Sequence, residues 1–349
     1  MKPLDPLTAP VDPVTALTRI AWLLERARES TYRVEAFRRA AAVAAAMDPE
    51  LLRQRARAGS LTDVRGIGDK TARVIVEADA GDLPSYLAVL QSDAKPVTER
   101  GQGIYTALRG DLHAHTDWSD GGAPLWEMAS AAAAFGQDWL AITDHSPRLT
   151  IANGLSAQRL EQQIADIGAL DDQLDELRLL TGIEVDILDD GSLDQSDEML
   201  DRLDIVTASV HSKLKMEPGP MTARMTAAVS DPRVNVLGHC TGRRVLSGRG
   251  ARAQSRFDAR RVFEACAEHD TAVEINSRPE RVDPPDDLIE LARDIGCLFA
   301  IDSDAHAPGQ LEFKVLGAER AEQFGIPPER IVTTWSAERV LDWAAGREA

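Results

Sequence analysis

The stretch that decides the fold class is residues 110–120, GDLHAHTDWSD. The apolar-to-polar pattern predicts a strand over Leu108–His113, with His115 two residues beyond His113. Alternate residues of an extended chain point to the same side, so both imidazoles can reach one ion. The stretch therefore predicts a β-strand that ends in metal ligands.

Six further predicted strands follow, each separated from the next by a helical segment. Parallel βα units are expected from this alternation, and seven of them favour a barrel. In such barrels the chemistry gathers at the carboxyl ends of the strands. The six strands are Trp139–Asp144, Leu177–Ile187, Ile205–His211, Val234–His239, Ala272–Asn276 and Leu298–Asp302.

Histidines and acids stand at these strand ends. Of the seven histidines, only His269 lies elsewhere. Imidazole with carboxylate suits Zn, Mn or Fe better than Mg or Ca. Any one of these histidines alone is more simply a hydrogen-bonded core residue, but the set is larger than a mononuclear site needs. A multinuclear site is predicted, which activates water and holds phosphoester oxygens. Its candidate ligands are His113, His115, Asp120, His145, Glu184, His211, His239, Asp304 and His306, with Glu274 and Asp302 as residues that orient them.

Composition removes several other classes of protein. The chain has 349 residues and a formal net charge of −18, which excludes a polycation that coats nucleic acid. Its three cysteines, Cys240, Cys266 and Cys297, have no CxxC spacing, so a disulfide framework is not expected. No apolar run approaches the roughly 18 residues of a membrane span. We expect a cytoplasmic protein that does not bind membranes.

The charge divides the chain into two modules. Residues 1–100 hold 15 Lys and Arg against 14 Asp and Glu, whereas the remaining residues carry a net charge of −19. The polar stretch 91–103, QSDAKPVTERGQG, is the predicted linker. Residues 1–13 are read as a tail and 14–90 as a small all-helical domain, with helices at Val14–Arg28, Arg33–Met47, Pro49–Ala58 and Lys70–Ala80.

A glycine pair marks the start of the last of these helices. Gly66 and Gly68 let the backbone approach a ligand closely, and amides at a helix start can bind phosphate oxygen. With Lys70 close behind, the segment looks like a helix-hairpin-helix that binds the DNA backbone without sequence preference. A tight turn between packed helices is the alternative.

The ordered motifs of residues 104–349 resemble the PHP (polymerase and histidinol phosphatase) family. They are most similar to the PHP domain at the carboxyl end of bacterial family X DNA polymerases, and residues 14–90 resemble the helix-hairpin-helix domain of the same polymerases. The motifs are DLHAHTDWSDG, ITDHS, GIEVDILDDGSLD, SVHS, LGHCTGR, EINSRPERVD and IDSDAH.

The resemblance implies a distorted (βα)7 barrel with three divalent metal ions (Zn, Mn or Fe). It also implies that Arg243 and Arg281 grip the substrate phosphate; a surface ion pair is the alternative for each. The implied ligand sets are His113, His115, Asp304 and the bridging Glu184 for the first ion, Glu184, His211 and His239 for the second, and Asp120, His145 and His306 for the third.

The chain departs from the family X pattern in ways that bear on activity. Only about a dozen residues separate the two modules, which leaves no room for a polymerase core. Val74 stands where related lyase domains carry a Schiff-base lysine. Cys240 replaces the usual proline and Glu280 the usual tryptophan, which casts doubt on the fit of the family's substrates but removes no ligand.

The expected function is metal-dependent hydrolysis of phosphoesters in DNA repair, without polymerisation. A 3′→5′ exonuclease, a 3′-phosphatase and an abasic-site endonuclease all fit, with the DNA backbone as a partner, association with the nucleoid when DNA is bound, and a repair polymerase as a candidate partner. Two alternatives stay open: a small-molecule phosphatase of histidinol-phosphatase or nucleoside-bisphosphate type, and a non-catalytic DNA-binding scaffold.

Overall fold

The computed structural model describes residues 1–245 and 251–346, so residues 246–250 and 347–349 of the predicted 104–349 domain lie outside it. The chain divides into two compact units, Pro3–Pro96 and a second formed by Met1–Lys2 with Val97–Ala349. The division falls inside the predicted linker 91–103. Within the described ranges, no helix is long and apolar enough to cross a membrane.

The first unit is helical, as predicted, and has one helix more than the sequence indicated. Asp12 caps α1 by accepting hydrogen bonds from the amides of Val14 and Thr15, both at 3.0 Å. Leu7, in the predicted tail, exchanges hydrogen bonds with Gln91 of the additional helix α5. The helices are α1 (Pro13–Arg26), α2 (Thr31–Ala46), α3 (Pro49–Ala58), α4 (Asp69–Asp79) and α5 (Ser85–Asp93).

The predicted hairpin lies between α3 and α4. Gly66 has a φ of +103°, a backbone angle that residues with a side chain rarely adopt. An added Cβ there would meet Val43 Cγ2 at 3.0 Å. Gly68 precedes α4, and its amide donates to the hydroxyl of Thr71 at 2.9 Å. Gly68 and Lys70 are exposed, so the start of α4 is open to solvent.

The second unit is a parallel barrel of seven short strands. They are hydrogen-bonded in chain order, β1 to β7, which confirms the predicted α/β class. The barrel is nearly closed, because the His115 amide donates to the Ala305 carbonyl at 2.8 Å. The strands are β1 (Gly110–Asp111), β2 (Trp139–Ile142), β3 (Arg178–Asp186), β4 (Ile205–Ser209), β5 (Val236–Leu237), β6 (Ala272–Asn276) and β7 (Phe299–Asp302).

Helices connect the strands and cover the barrel. The sequence predicted five of the helices between the strands, whereas the short helix before β1, the short helix between β3 and β4, and the last two helices were not predicted. They are α6 (Gln102–Ala107), α7 (Leu125–Ala134), α8 (Ala157–Asp171), α9 (Asp197–Leu200), α10 (Pro218–Val229), α11 (Ala259–Glu268), α12 (Asp286–Ile295), α13 (Lys314–Gln323) and α14 (Ala337–Ala344).

Apolar residues fill the barrel and leave its carboxyl end for polar groups. Trp139 and Leu180 belong to a cluster that also contains Trp335 and Trp343 from the carboxyl-terminal segment. The Trp139 indole donates to the Trp335 carbonyl at 3.0 Å. This packing fixes the strand ends from which the candidate ligands project.

Position 110 requires a glycine, because the ring of Trp139 packs directly against β1. An added Cβ would lie 2.0 Å from a ring atom of Trp139, which is fully buried. We expect Gly110→Ala to lower the free energy of unfolding by about 3 kcal/mol or more, because the overpacked core cannot relax. Chemical denaturation followed by circular dichroism measures this.

Gly168→Ala is the matched control for that substitution. Gly168 lies within α8, and an added Cβ would meet nothing within 4 Å. A helical Ala in its place should stabilise by about 0.5–1 kcal/mol. Equal unfolding midpoints for the two variants would contradict this account of β1.

Candidate metal centre

The nine candidate ligands meet at the carboxyl end of the barrel. Because parallel strands all end at the same edge, the residues that follow them converge. His113 and His115 follow β1, whereas Asp304 and His306 follow β7 at the closing seam. His113, His115, Glu184, His239 and Asp304 are at most 2% exposed, so the cluster is closed to bulk water on most sides.

Glu184 of β3 is the centre of this cluster. Its two carboxylate oxygens face the rings of five histidines, a geometry that suits a carboxylate shared between ions. The distances are 3.3 Å to His113 Nε2, 3.6 Å to His115 Nε2, 2.8 Å to His145 Nδ1, 3.2 Å to His211 Nε2 and 2.9 Å to His239 Nε2.

A second group of ligand atoms surrounds Asp120. Its Oδ1 lies 3.4 Å from His145 Nε2 and 3.3 Å from His306 Nε2. His115 belongs with these three residues, as its ring atoms lie within 4.8 Å of theirs. The predicted third set is therefore brought together with His115 added to it.

The members of the other two predicted sets also lie close together, and the two sets overlap. Atoms within 4.8 Å of one another join His113 with His115 and Glu184, and His145 with Glu184 and His211. A further group joins His239 with His113 and Asp304, and Asp304 Oδ1 also lies 3.5 Å from His115 Nε2. The sharing of His113, His115, His145 and Glu184 between groups indicates a polynuclear arrangement.

The chemistry of these donor atoms fits cations. Within the described residues, both carboxylate oxygens of Glu184 and both ring nitrogens of His115, His211 and His239 are buried without a hydrogen-bond partner. Buried polar atoms are nearly always satisfied, so a cluster of unsatisfied acceptors indicates a group that they coordinate. Divalent metal ions accept imidazole nitrogen and carboxylate oxygen together.

Burial favours the neutral, metal-binding form of only some of these histidines. At His113, His145 and His211 it opposes protonation, but the negative charge of Glu184 outweighs it and raises the pKa. At His239 burial lowers the pKa to about 3, and the positive charge of Arg281 adds to this effect. It lowers the pKa of His115 well below the usual value, with further contributions from His306 and His145. Burial opposes ionisation of Glu184, but the surrounding histidines outweigh it and hold the pKa of that carboxyl well below its usual value.

Residues behind the ligands orient them. Glu274 Oε1 lies 2.6 Å from His113 Nδ1, and its other oxygen accepts the His239 amide, as its predicted orienting role requires. Asn276 donates to Glu274 at 3.1 Å and to Asp304 at 3.0 Å. Asp302, the other residue predicted to orient ligands, accepts the amide of Leu112 at 2.9 Å.

Asp144 organises the loop that carries Asp120. It is buried, and burial raises its pKa although several donors hold its carboxylate. It accepts from the amide and hydroxyl of Thr116 at 2.9 and 2.6 Å, from the Ser119 hydroxyl, and from Gln163 at 2.6 Å. The sequence placed Asp144 at a strand end but assigned it no role.

The two predicted phosphate-binding arginines differ in their surroundings. Arg281 Nε lies 2.8 Å from Asp304 Oδ2, at the edge of the cluster. Arg243 instead donates from Nε to the Val282 carbonyl at 2.8 Å and so ties two loops together. Arg278, which the sequence did not single out, lies 2.8 Å from His306 Nδ1.

Comparison with known proteins identifies the domain. A family model described as the PHP domain matches residues 111–278. Residues 111–278 belong to the PHP domain family. This confirms the resemblance predicted from the motifs, and with it the predicted enzyme class, a hydrolase of phosphoester bonds.

Relatives of the PHP domain occur in two settings. The chain is 37% identical over 249 residues to "DNA polymerase/3'-5' exonuclease PolX" of Bacillus subtilis (strain 168), covering 71% of this chain and 42% of that protein. It is 28% identical over 252 residues to "Probable phosphatase YcdX" of Escherichia coli (strain K12), covering 68% of this chain and 94% of that protein. The chain thus spans less than half of the first relative.

A solved histidinol phosphate phosphatase from Lactococcus lactis, complexed with zinc, L-histidinol and phosphate, is also similar to the chain. The two share 17% sequence identity with a TM-score of 0.43, over 61% of this chain and 93% of that one.

Removing the shared carboxylate tests the metal centre. Glu184→Gln keeps the shape of the side chain but removes the charge between five imidazoles. We expect wild-type protein to retain more than one divalent ion per chain after dialysis, and the variant to lose most of them. Elemental analysis of both proteins is the measurement.

His269→Ala serves as the control, because His269 lies at the end of α11, outside the cluster. Its metal content should equal that of wild type. An unchanged metal content in Glu184→Gln would rule out Glu184 as a ligand.

Proposed function

We propose that this chain is a metal-dependent phosphoesterase that acts on DNA as a 3′→5′ exonuclease, a 3′-phosphatase or an abasic-site endonuclease. The Glu184 cluster, present in one chain with a helical unit that has an open hairpin, carries the proposal. The name of the Bacillus relative includes a 3′→5′ exonuclease, and this supports the proposal. Polymerase activity is not part of the proposal, because so few residues separate the two modules.

Three divalent ions, Zn, Mn or Fe, complete the proposed site. His113, His115, Asp304 and Glu184 hold the first, Glu184, His211 and His239 the second, and Asp120, His145 and His306 the third. His115, which also lies beside the third set, is a candidate to be shared. When bound, such ions supply Lewis-acid activation of water and of phosphate oxygen.

The residues around the ligands position the reacting phosphate. Arg281, at the edge of the cluster, offers a guanidinium to the negative charge that develops on phosphate oxygen. Asp304 keeps Arg281 in place at 2.8 Å, and Asn276 in turn holds Asp304 at 3.0 Å. Arg243 contributes by fixing the loop of Arg281 through the carbonyl of Val282.

The helical unit is the proposed DNA-binding module. Arg39, Arg65, Lys70 and Arg73 are exposed, and Gly66 packs against the side chain of Arg39. The first amides of a helix have no partner within it, so those at the start of α4 can donate hydrogen bonds to a phosphate oxygen. With Gly66, Gly68 and Lys70 as its contacts, such binding follows the backbone rather than the bases.

A small-molecule phosphatase is the second candidate. The relatives called probable phosphatases support it, because the match covers 94% of the YcdX length but only 68% of this chain. A phosphatase that acts on histidinol phosphate or on a nucleoside bisphosphate does not need to bind DNA. Efficient hydrolysis of histidinol phosphate, together with no affinity for duplex DNA, would favour this candidate.

The activity is tested on defined DNA ends. Purified protein with Mn²⁺ is incubated with 3′-recessed, 3′-phosphate and abasic duplexes, and with histidinol phosphate. We expect metal-dependent cleavage of at least one DNA substrate and a loss of about a thousandfold or more in Glu184→Gln, because the Lewis acid supplies several kcal/mol. If no DNA is cleaved, or if Glu184→Gln and His113→Ala match wild type, the proposal fails.

We expect the hairpin to bind the DNA backbone through a few residues, with an affinity that depends on salt. Lys70→Ala should weaken binding to duplexes of any sequence and lower the slope of log K against log[salt] by about one. Fluorescence anisotropy across a salt series measures both. Arg53→Ala is the control, because Arg53 is exposed but pairs with Glu50 at 2.9 Å; an equal effect in both variants would argue against the hairpin as the contact.

A further inference from the structure

Two loops join at the rim of the metal cluster. One follows β5 and the other follows β6, and the amide of Val245 donates to the Glu280 carbonyl at 2.7 Å. Arg243 reinforces this join by its hydrogen bond to Val282 at 2.8 Å. The join brings Arg244 of one loop beside Arg278 and Arg281 of the other. These three residues are called the arginine rim below.

Arg278 is committed to holding the rim in place. Its Nε and Nη2 lie 2.8 and 2.7 Å from Glu280 Oε1, and Glu280 is itself buried. Its Nη1 contacts His306 Nδ1 at 2.8 Å and the Asp304 carbonyl at 3.3 Å. Glu280, which replaces the usual tryptophan, therefore neutralises Arg278 and aims it at a candidate ligand.

Arg244 and Arg281 retain unused hydrogen-bonding capacity. Arg244 Nε is buried, and no described residue accepts a hydrogen bond from it. Arg281 contacts Asp304 through Nε at 2.8 Å, which leaves its two terminal nitrogens without an acceptor among the described residues. The buried Nε of Arg244 is costly to the folded protein unless an acceptor meets it.

The charges of the rim lie close to one another and to the cluster. Burial lowers the pKa of Arg244, and the positive charges of Arg281 and Arg278 lower it further, whereas Glu280 and Asp304 oppose this. The carboxylates of Glu280 and Asp304 are already engaged with Arg278 and Arg281. Arg244 therefore adds a positive charge beside those of Arg278 and Arg281, and such a group of positive charges favours the binding of an anion.

We propose that Arg244, which lies beside Arg281 at the edge of the Glu184 cluster, binds a second phosphate group of the substrate, next to the phosphoester held at that cluster. The inference rests on the proposed phosphoesterase function and narrows its substrate class. The substrate carries two phosphates one nucleoside apart, as in a nucleic-acid end or a nucleoside bisphosphate, rather than one isolated monoester. Arg278 is a positioning residue that holds the rim through Glu280.

Slowly cleaved analogues test the second phosphate directly. The probes are thymidine 3′,5′-bisphosphorothioate and thymidine 3′-monophosphorothioate, and calorimetry on the metal-loaded full chain gives Kd for each. Wild type should bind the bis form at least about tenfold more tightly, because a charge-assisted hydrogen bond contributes that much. Arg244→Met should bring the ratio of the two Kd values close to one, and Arg244→Lys should restore part of it.

Steady-state kinetics separates a binding role from a structural one. With a cleavable bisphosphate ester, Arg244→Met should raise KM with little change in kcat, since the second phosphate does not react. Arg260→Met is the control, because Arg260 is exposed on α11 and lies near Glu264 at 3.7 Å. If Arg244→Met weakens both analogues equally, the inference is overturned.

Two trinucleotides distinguish the sources of the second phosphate. They differ only in whether the linkage next to the cleaved one is a phosphodiester or an uncharged methylphosphonate. A preference of wild type for the charged linkage, lost in Arg244→Met, assigns the site to nucleic-acid ends, whereas a preference confined to the bisphosphate assigns it to free nucleotides. Either supports the second-phosphate site.

The failure of this inference is distinct from that of the proposed function. Wild type that hydrolyses phosphoesters but binds both thymidine analogues equally overturns the second-phosphate site alone. Wild type that hydrolyses no phosphoester and binds neither analogue overturns both.

Discussion

A single buried carboxylate constrains the rest of this molecule. Glu184 is 1% exposed and faces five imidazoles, and a charge in such a place is tolerated only with compensating charge around it. Its neighbours come from the ends of several different strands, so the barrel must bring those ends together closely enough for their side chains to meet at Glu184. The orienting contacts of Glu274, Asn276 and Asp144 serve this requirement, because they fix the ligands without depending on the ions.

The opposite end of the barrel supplies the rigidity. Trp139 fills the space that Gly110 leaves open, and the Trp335 segment closes the cluster beneath it. A core packed in this way is rigid, so the strand ends keep fixed positions. The side chains that follow them can therefore keep unpaired donors and acceptors in one arrangement. Stability and chemistry are thus separated along the barrel axis, as is usual where parallel strands form a barrel.

The sequence predicted which side chains converge at the end of the barrel, because each of them lies in a short local pattern. His113 and His115 share one strand end, and each further strand repeats the change from apolar to polar residues at its carboxyl end. The strands themselves were predicted too long where the pairing is brief, as at Val234–His239, of which only Val236–Leu237 is β5. Pairing depends on the neighbouring strand, which a local pattern does not contain.

The sequence missed the features that arise where distant segments meet. Arg244 and Arg278 lie in different loops, and nothing in their spacing indicates that Val245 and Glu280 are hydrogen-bonded. Glu280 could be identified as a departure from the family, but its role as the partner of Arg278 needed the fold. Helix α14 was not predicted for the same reason, because its apolar residues can be recognised as core residues only once they pack against the end of the barrel opposite the ligands.

The seam between the first and last strands has a consequence for biosynthesis. His113 and His115 leave the ribosome early, whereas Asp304 and His306 follow β7, and the His115 amide bonds to Ala305 only after both are made. A nascent chain that ends before residue 306 therefore lacks part of the ligand set. Order of translation alone keeps a hydrolytic centre incomplete until the whole barrel has been synthesised.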